Sequence, residues 1–343
     1  MNQRVGRSSI RLAQPVCVIA GAAIVGKKEG EGPLGDDFDM VFEDTTMGQE
    51  SFELAESAML HDAIIRALAS ANVSPKDVDF VMTGDLLDQC TGSCFALKDL
   101  EMPFIGMYGA CSTMALTLCN SAMLVSAGAN ICVAGASSHF ASSERQFRYP
   151  LEYGGQRPPT AQWTVTGAGC AVVQNQRNID TENLQNAVKI SAVHIGTITD
   201  LGIKDANNMG AAMAPAAART IADFLHDTQT GPEDYDLILT GDLGLTGSKL
   251  LFELLQEDSE IDIETQHKDC GMMIFDLAEQ DVNSGGSGCG CSASVVCSHI
   301  MKNIKNGTLK KVLFVATGAL MSPTSTKQGQ SIPGIAHAVL LEK

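Results

Sequence analysis

The stretch DFVMTGDL at residues 79–86 decides the fold, because it returns in the second half of the chain as DLILTGDL at residues 236–243. Each copy is a short β-rich run that ends in a Gly-Asp turn. Two further echoes follow in the same order: VAGA at 133–136 matches VATGA at 315–319, and GAGCAVV at 167–173 matches GIAHAVL at 334–340. Three echoes in one order indicate an internal duplication.

The duplication divides the chain into an N-terminal half, residues 1–180, and a C-terminal half, residues 181–343. Each half reads as strand, helix, strand, helix and strand, which predicts an α/β fold built from two duplicated halves. In the first half, the hydrophobic pattern predicts four elements: a helix over 47–71, a strand over 79–83, a helix over 112–127 and a strand over 131–134.

The composition suits a buried α/β core. Of the 343 residues, 45% are hydrophobic, 18% are charged and 33 are glycine. This balance is typical of mostly parallel sheets joined by tight turns. The net charge of −17 argues against binding to nucleic acid or directly to anionic lipid.

The eleven cysteines lie among small and apolar residues, and none of them forms a Cys/His cluster with zinc-finger spacing. Reduced thiols in a cytosol-like compartment are therefore expected, rather than disulfides.

Two apolar stretches raise the question of a membrane. The run over 15–26 follows three arginines, as in a signal peptide, but its Ala and Gly content and the two lysines directly after it favour a buried first strand. The stretch over 114–133 carries several Ser, Thr and Asn side chains. Neither a signal peptide nor a membrane span is therefore expected.

The turn Tyr-Gly-Ala-Cys at residues 108–111 joins a predicted strand to the helix over 112–127. Cys111 thus lies at a helix N-terminus, where free N–H groups and the helix dipole favour a thiolate. A buried cysteine is by default a packing residue, but this position favours a functional one.

These features resemble the thiolase and ketoacyl synthase superfamily, whose duplicated halves carry a similar turn before a long buried helix. Residues 208–216, NMGAAMAPA, resemble the thiolase segment Met-Gly-x-x-Pro-x-Pro-Ala. Residues 283–294, NSGGSGCGCSAS, resemble the thiolase loop Asn-x-Gly-Gly…Gly-His-Pro-x-Gly-Ala-Ser. The resemblance covers nearly the whole chain and implies a five-layer thiolase-like fold and a homodimer.

Two stretches are more narrowly similar to the stage V sporulation protein AD family of spore formers: KKEGEGPL at 27–34 and YGACSTM at 108–114. That resemblance implies uptake of dipicolinic acid, or of its calcium complex, into the developing spore. It also implies a soluble protein that associates peripherally with the spore inner membrane and with other stage V sporulation A membrane proteins. No cofactor is expected.

The sequence departs from the superfamily where catalysis needs partners for the cysteine. Cys289 falls where the thiolase loop has its histidine. Residues 240–244 lack the His-x-x-Asn of condensing enzymes, and residues 316–318 lack the second thiolase cysteine. Without a base of near-neutral pKa, a contribution of roughly a hundredfold to ten-thousandfold from proton transfer is absent. The departures predict a protein that is not an enzyme.

The vacated pocket is expected to hold a small anion. Cys111 and the glycine-rich loop with Gly286 and Ser287 would supply hydrogen-bond donors. Lys204 precedes the segment that in thiolases borders the acyl pocket, and it is either a ligand cation or an ordinary surface lysine.

Four further candidates lie at or near strand ends or on strands. Asp85 and Asp242 occupy matching positions after the repeated strands and either face the pocket or cap helices. His139 and His337 either reach the pocket or are core residues. The segment over 142–159, with three arginines, is expected to cover the pocket or the dimer face. Whether a metal binds there stays open, although carboxylates would suit the calcium of the complex.

Three functions remain open on the sequence alone. The first is a non-catalytic binder of dipicolinic acid or its calcium complex. The second is an active acyltransferase or condensing enzyme that uses Cys111 with His139 or His337 as base. The third is a structural subunit of a membrane complex. The missing family histidines disfavour the second, and the retained turn and glycine loop favour the first over the third.

Overall fold

The structure is a computed structural model that describes residues 3–147, 157–179, 184 and 187–343. Its strands are β1 (Gln3–Val5), β2 (Ser9–Gly26), β3 (Met40–Phe42), β4 (Phe80–Gly84), β5 (Phe104–Gly106), β6 (Ile131–Ser138), β7 (Trp163–Thr164), β8 (Gly167–Asn175), β9 (Val188–His194), β10 (Leu237–Thr240), β11 (His267–Asp269), β12 (Gly286–Ser287), β13 (Lys311–Ala319) and β14 (Gly334–Glu342).

The described α-helices are α1 (Lys27–Gly30), α2 (Phe52–Ser70), α3 (Thr91–Leu97), α4 (Thr113–Ala127), α5 (Phe140–Phe147), α6 (Met209–Thr228), α7 (Gly244–Ser259), α8 (Cys270–Met273), α9 (Cys289–Val295), α10 (Met301–Lys305) and α11 (Pro323–Lys327). One π-helical turn, Val296–Ile300, joins α9 to α10.

The main sheet repeats one strand order on both sides of its centre. Its path is β11-β10-β13-β14-β9-β2-β8-β6-β4-β5, so β2-β8-β6-β4-β5 matches β9-β14-β13-β10-β11 position by position. In each half the two outer pairs are parallel and the two inner pairs antiparallel. The repeated octapeptides lie on the equivalent strands β4 and β10. The predicted boundary between residues 180 and 181 lies outside the described residues.

The two central sheets that a thiolase-like fold implies meet along one strand. Strand β2 is 18 residues long and pairs antiparallel with β8 in its own half and with β9 in the other. Its register with β9 shifts between Arg11 and Val16, which divides the strand into two pairing segments. The two expected sheets are thus joined edge to edge through one long strand.

Three hydrophobic clusters alternate with the two halves of the sheet. Helix α2 packs with strands of the first half, and α6 and α7 pack with strands of the second. The central cluster contains α4 and α9 together with strands of both halves. Helix, sheet, helix, sheet and helix follow one another, so the five-layer thiolase-like fold is confirmed.

One apolar stretch of the described residues, Ala110–Ala127, is long enough to cross a membrane, and 67% of it is buried. It coincides with α4, which contacts strands of both halves. Its apolar composition therefore reflects its place in the central layer, where every face of a helix meets protein.

Two predicted boundaries differ from the structure. Helix α2 begins at Phe52 and not at residue 47, because Ser51 caps it by accepting from the Leu54 N–H and because Met47 and Gly48 both have positive φ. Strand β6 continues to Ser138, four residues beyond its predicted end. The longer strand matters, since its last residues contact the loop before α9.

Candidate functional site

The turn before α4 presents Cys111 from a constrained backbone. Ala110 has a φ of 49°, a left-handed conformation that is uncommon for a residue with a side chain. Gly318 of β13 packs directly behind the turn, because a Cβ added there would lie 2.5 Å from the carbonyl oxygen of Gly109. A strand of the second half thus supports the cysteine of the first.

A cavity opens at Cys111 and is lined from both halves. It contains about 390 Å³ of empty space, of which about 30 Å³ can hold the centre of a water molecule. The lining residues are mostly apolar: Leu86, Tyr108, Ala110, Cys111, Ser143, Glu144, Phe147, Thr164, Met209, Ser287, Ala319 and Met321. No histidine, lysine or arginine belongs to the described part of this wall.

Asp242 is a buried carboxylate whose charge acts on the Cys111 thiol. One carboxylate oxygen accepts from the Ser287 hydroxyl at 3.1 Å and from the Gly288 N–H at 2.9 Å. The other accepts from the Thr317 hydroxyl at 2.8 Å. The Cys111 Sγ also lies 3.9 Å from the Ser287 Oγ. Two segments of the second half therefore hold the Asp242 carboxylate in place.

The electrostatics of this pair keep the proton on sulfur. Burial raises the pKa of Asp242 to about 6, against hydrogen bonds that lower it. Burial, followed by the charge of Asp242, raises the pKa of Cys111 well above its ordinary value. The prediction that the helix N-terminus favours a thiolate was wrong, because burial and the neighbouring carboxylate outweigh the helix dipole.

Asp85, the sequence equivalent of Asp242, does not line the cavity. Its carboxylate accepts from the backbone N–H groups of Leu87 at 2.9 Å and Ser93 at 2.7 Å, so it stabilises the turn that leads into α3. It lies beside Glu56, whose carboxylate accepts from the hydroxyls of Ser137 and Ser142. Burial and the charge of Asp85 raise the pKa of Glu56 to about 8.

Neither candidate histidine lies in the cavity wall. The His139 Nε2 is 2.8 Å from the carbonyl oxygen of Thr45, and its Nδ1 accepts from the Ala141 N–H at 3.2 Å. Both ring nitrogens are thus occupied. The His337 Nδ1 accepts from the Gly196 N–H at 3.1 Å, and burial lowers its pKa to about 4. Both behave as satisfied core residues, which was the alternative interpretation of the sequence.

The glycine loop and Lys204 are placed differently. Gly286 and Ser287 form β12, which pairs with Trp163 and Thr164 of β7, and Ser287 lines the cavity. Lys204 is exposed in the segment before α6 and is not a lining residue. The structure therefore brings Cys111, Asp242 and Ser287 together and leaves Lys204 apart.

Cys289 is buried but makes its contact elsewhere. Its thiol donates to the carbonyl oxygen of Ser137 at 2.9 Å, and burial raises its pKa well above the ordinary value. The charge that acts on Cys111 is that of Asp242, within the 240–244 stretch where the sequence showed no histidine. The sequence assigned Asp242 to the site as a ligand-binding residue, and not as the titratable neighbour of Cys111.

The segment over 142–159 does cover the cavity, through α5. Ser143, Glu144 and Phe147 line it, and sequence reasoning missed all three. The segment's arginines bind other groups: Arg145 pairs with Glu53 and Arg157 with Asp281, while Arg148 lies outside the described residues. The described residues contain no group of three or more His, Cys, Asp or Glu side chains placed to hold a metal ion.

A buried cysteine on a strand-to-helix turn between duplicated halves defines the thiolase-like class of proteins, and solved structures agree. The 3-oxoacyl-[acyl-carrier-protein] synthase III from Aquifex aeolicus VF5 aligns with a TM-score of 0.56 and 15% identity, over 96% of this chain and 100% of that one. Human mitochondrial 3-ketoacyl-CoA thiolase in complex with CoA aligns with a TM-score of 0.58 and 12% identity, over 97% and 99%. At such identities the likeness is one of fold.

Within that class, the chain belongs to the stage V sporulation protein AD family. The family model of that description matches residues 6–342. Stage V sporulation protein AD of Bacillus subtilis (strain 168) is 44% identical over 339 residues, which cover 98% of this chain and 97% of the relative. The family resemblance read from residues 27–34 and 108–114 is confirmed.

Proposed function

We propose that this sporulation protein is a non-catalytic thiolase-fold binder of dipicolinic acid, or of its calcium complex, for uptake into the developing spore. The observation that carries the proposal is the Cys111–Asp242 pair, because its protonation pattern suits a hydrogen-bonding site and not a nucleophile. The sporulation role comes from the family, and the ligand from the resemblance of the sequence.

Proton transfer within the pair is unfavourable. The pKa of Asp242 is about 6, whereas that of Cys111 lies well above 9.0. The thiolate paired with a neutral carboxyl is therefore disfavoured relative to the thiol paired with a carboxylate. With both candidate histidines hydrogen-bonded elsewhere, the acyltransferase alternative has no histidine among the described residues of the cavity wall.

The cavity wall suits a flat ring that carries acidic groups. Phe147, Met209 and Met321 offer apolar surface, and the Ser143 hydroxyl offers a polar contact. The hydroxyls of Thr164 and Ser287 already donate to Glu144 and Asp242. A ring with two carboxyl groups needs more than the present free volume. The half-exposed Tyr108 at the mouth is therefore expected to shift when the ligand enters.

The test is calorimetric titration of the purified protein with dipicolinate, with and without calcium. Cys111→Ser should bind like the wild type, since a hydroxyl fits where the thiol stood and no nucleophile is required. Cys111→Trp should abolish binding by filling the cavity. Because Trp163 is the single tryptophan and adjoins the lining residue Thr164, its fluorescence gives a second readout for the first variant. Absence of binding under both conditions would remove the proposal.

The competing enzyme function has its own experiment. Incubation with acetyl-CoA and longer acyl-CoA, followed by intact mass measurement, should show no turnover and at most slow labelling. Steady thioester cleavage, lost in Cys111→Ser, would replace the binder by an acyltransferase.

We further propose a homodimer and contacts with other stage V sporulation A membrane proteins, as the family resemblance implies. The edge strand β5 supports the dimer, because Phe104 and Ile105 are exposed on it and nothing in the described chain pairs with its outer side. A monomeric sedimentation profile would remove the dimer and leave the ligand proposal intact.

A further inference from the structure

Helix α5 presents two adjacent serines that are equally buried but differently bonded. Ser142 and Ser143 are each 1% exposed. The Ser142 hydroxyl donates to the Glu56 carboxylate at 2.9 Å and lies 3.2 Å from the carbonyl oxygen of His139. The Ser143 hydroxyl has no hydrogen-bond partner, although Ser143 lines the cavity beside Cys111.

A buried hydroxyl without a partner is destabilising, and folded proteins rarely retain one without a reason. Ser143 is thus a donor that the protein itself does not satisfy, at a place in α5 that a molecule bound in the cavity can reach. One turn further along the helix, Phe147 lines the same cavity. Residues four apart lie on one face of a helix, so α5 offers a hydroxyl and an aromatic ring side by side.

We propose that Ser143 is a ligand-binding residue whose hydroxyl donates a hydrogen bond to a carboxylate oxygen of the bound molecule, while Phe147 packs against the ring to which that carboxylate is attached. The inference rests on the proposed function and deepens it: the site recognises an aromatic acid through α5, and not only through the Cys111 turn. Ser287 cannot be the donor to the ligand carboxylate, because its hydroxyl already donates to Asp242.

The experiment compares Ser143→Ala with Ser142→Ala, a matched pair on one helix. Dipicolinate affinity is measured by calorimetry, with and without calcium, and the stability of the ligand-free proteins by chemical denaturation. Ser143→Ala should weaken binding by about tenfold to a hundredfold, the effect of losing one hydrogen bond to a charged group. It should leave the ligand-free protein as stable as the wild type or more stable, because the orphan hydroxyl is gone. Ser142→Ala should destabilise the protein and change affinity by less than about threefold, because its bond supports the fold.

The outcomes separate the two proposals. If the wild type binds dipicolinate and Ser143→Ala binds equally well, the inference fails and the proposed function stands; a water molecule then satisfies the hydroxyl. Equal losses of affinity in both serine variants would overturn the inference as well, since displacement of α5 would explain them. A wild type that binds no dipicolinate overturns the proposed function, and this inference with it.

Discussion

The two Thr-Gly-Asp-Leu turns occupy equivalent places in the sheet, yet their aspartates have different hydrogen-bond partners. After β4, Asp85 accepts from backbone N–H groups of its own turn and lies beside Glu56. After β10, Asp242 accepts from side chains of Ser287 and Thr317 and from the Gly288 N–H, next to Cys111. The first stabilises its half of the fold, and the second forms the site.

A third aspartate caps the second turn, so the Asp242 carboxylate is not needed there. Asp269, at the end of β11, accepts from the N–H groups of Leu243 at 2.8 Å and Gly244 at 3.0 Å. It thereby stabilises the second turn as Asp85 stabilises the first. Because a neighbouring strand supplies that cap, the Asp242 carboxylate can instead accept from the hydroxyls of Ser287 and Thr317. A duplication therefore conserves the position of a side chain more readily than its partners.

The largest expected effect is a pH dependence of stability that arises from Glu56, the carboxylate beside Asp85. The pKa of Glu56 is about 8 in the folded protein, against 4.5 ordinarily. The folded state therefore holds a proton that the unfolded chain has lost, and stability falls as pH rises from about 4.5 to about 8. The slope reaches about 1.4 kcal/mol per pH unit. The side chain in Glu56→Gln stays neutral at every pH. The free energy of unfolding of this variant, relative to that of the wild type, should therefore increase by up to about 1.4 kcal/mol for each pH unit.

Denaturant unfolding of both proteins at pH 5.5, 7.0 and 8.5 measures this difference. Glu257→Gln, on the exposed end of α7, is the control and should track the wild type at every pH. Parallel curves for Glu56→Gln and the wild type would mean that Glu56 is ionised throughout the range. The first turn would then hold two charged carboxylates, and its purely supporting role would be in doubt.

The next effect tests the second turn through the reactivity of Cys111. Asp242→Asn removes the charge that, after burial, raises the pKa of the thiol. The pKa of Cys111 therefore falls, the thiolate fraction at pH 8 rises, and alkylation by iodoacetamide should accelerate in proportion. Asp85→Asn should leave the rate unchanged. Peptide mapping distinguishes Cys111 from the exposed Cys94. Similar alkylation rates in both variants would contradict the conclusion that only the aspartate of the second turn acts on Cys111.

The sequence was sufficient for the fold because the fold rests on local patterns and on their repetition. The echoes at 79–86 and 236–243 predict equivalent strands, and β4 and β10 are equivalent. The turn at Cys111 and the lining residue Ser287 were also predictable from motifs. What the repeat could not show was that β2 pairs with β9, because strand pairing across the halves depends on tertiary packing.

The remaining site residues depend on contacts between distant segments. The partners of Asp242 lie 45 to 75 positions away, so no local pattern identifies which aspartate they bind. Ser143 and Glu144 lie in a short helix that the sequence indicated only as a covering segment. Glu56 did carry a signal: with Leu60 and Ala63 it falls on the buried face of α2, where an acidic residue is rare.

The smallest expected effect concerns Lys204, the one cation that the sequence assigned to the site. Lys204 is exposed and outside the cavity wall, so it can attract a dianion only through solvent, where such interactions are weak and screened by salt. Lys204→Ala should weaken dipicolinate binding by less than about threefold at low salt, and the difference should vanish near 0.5 M salt. Calorimetry at both salt concentrations decides the matter. A loss of more than about tenfold that persists at high salt would show that Lys204 contacts the ligand directly. The second half would then contribute a cation as well as a carboxylate, and the segment before α6 would have to close over the cavity when the ligand binds.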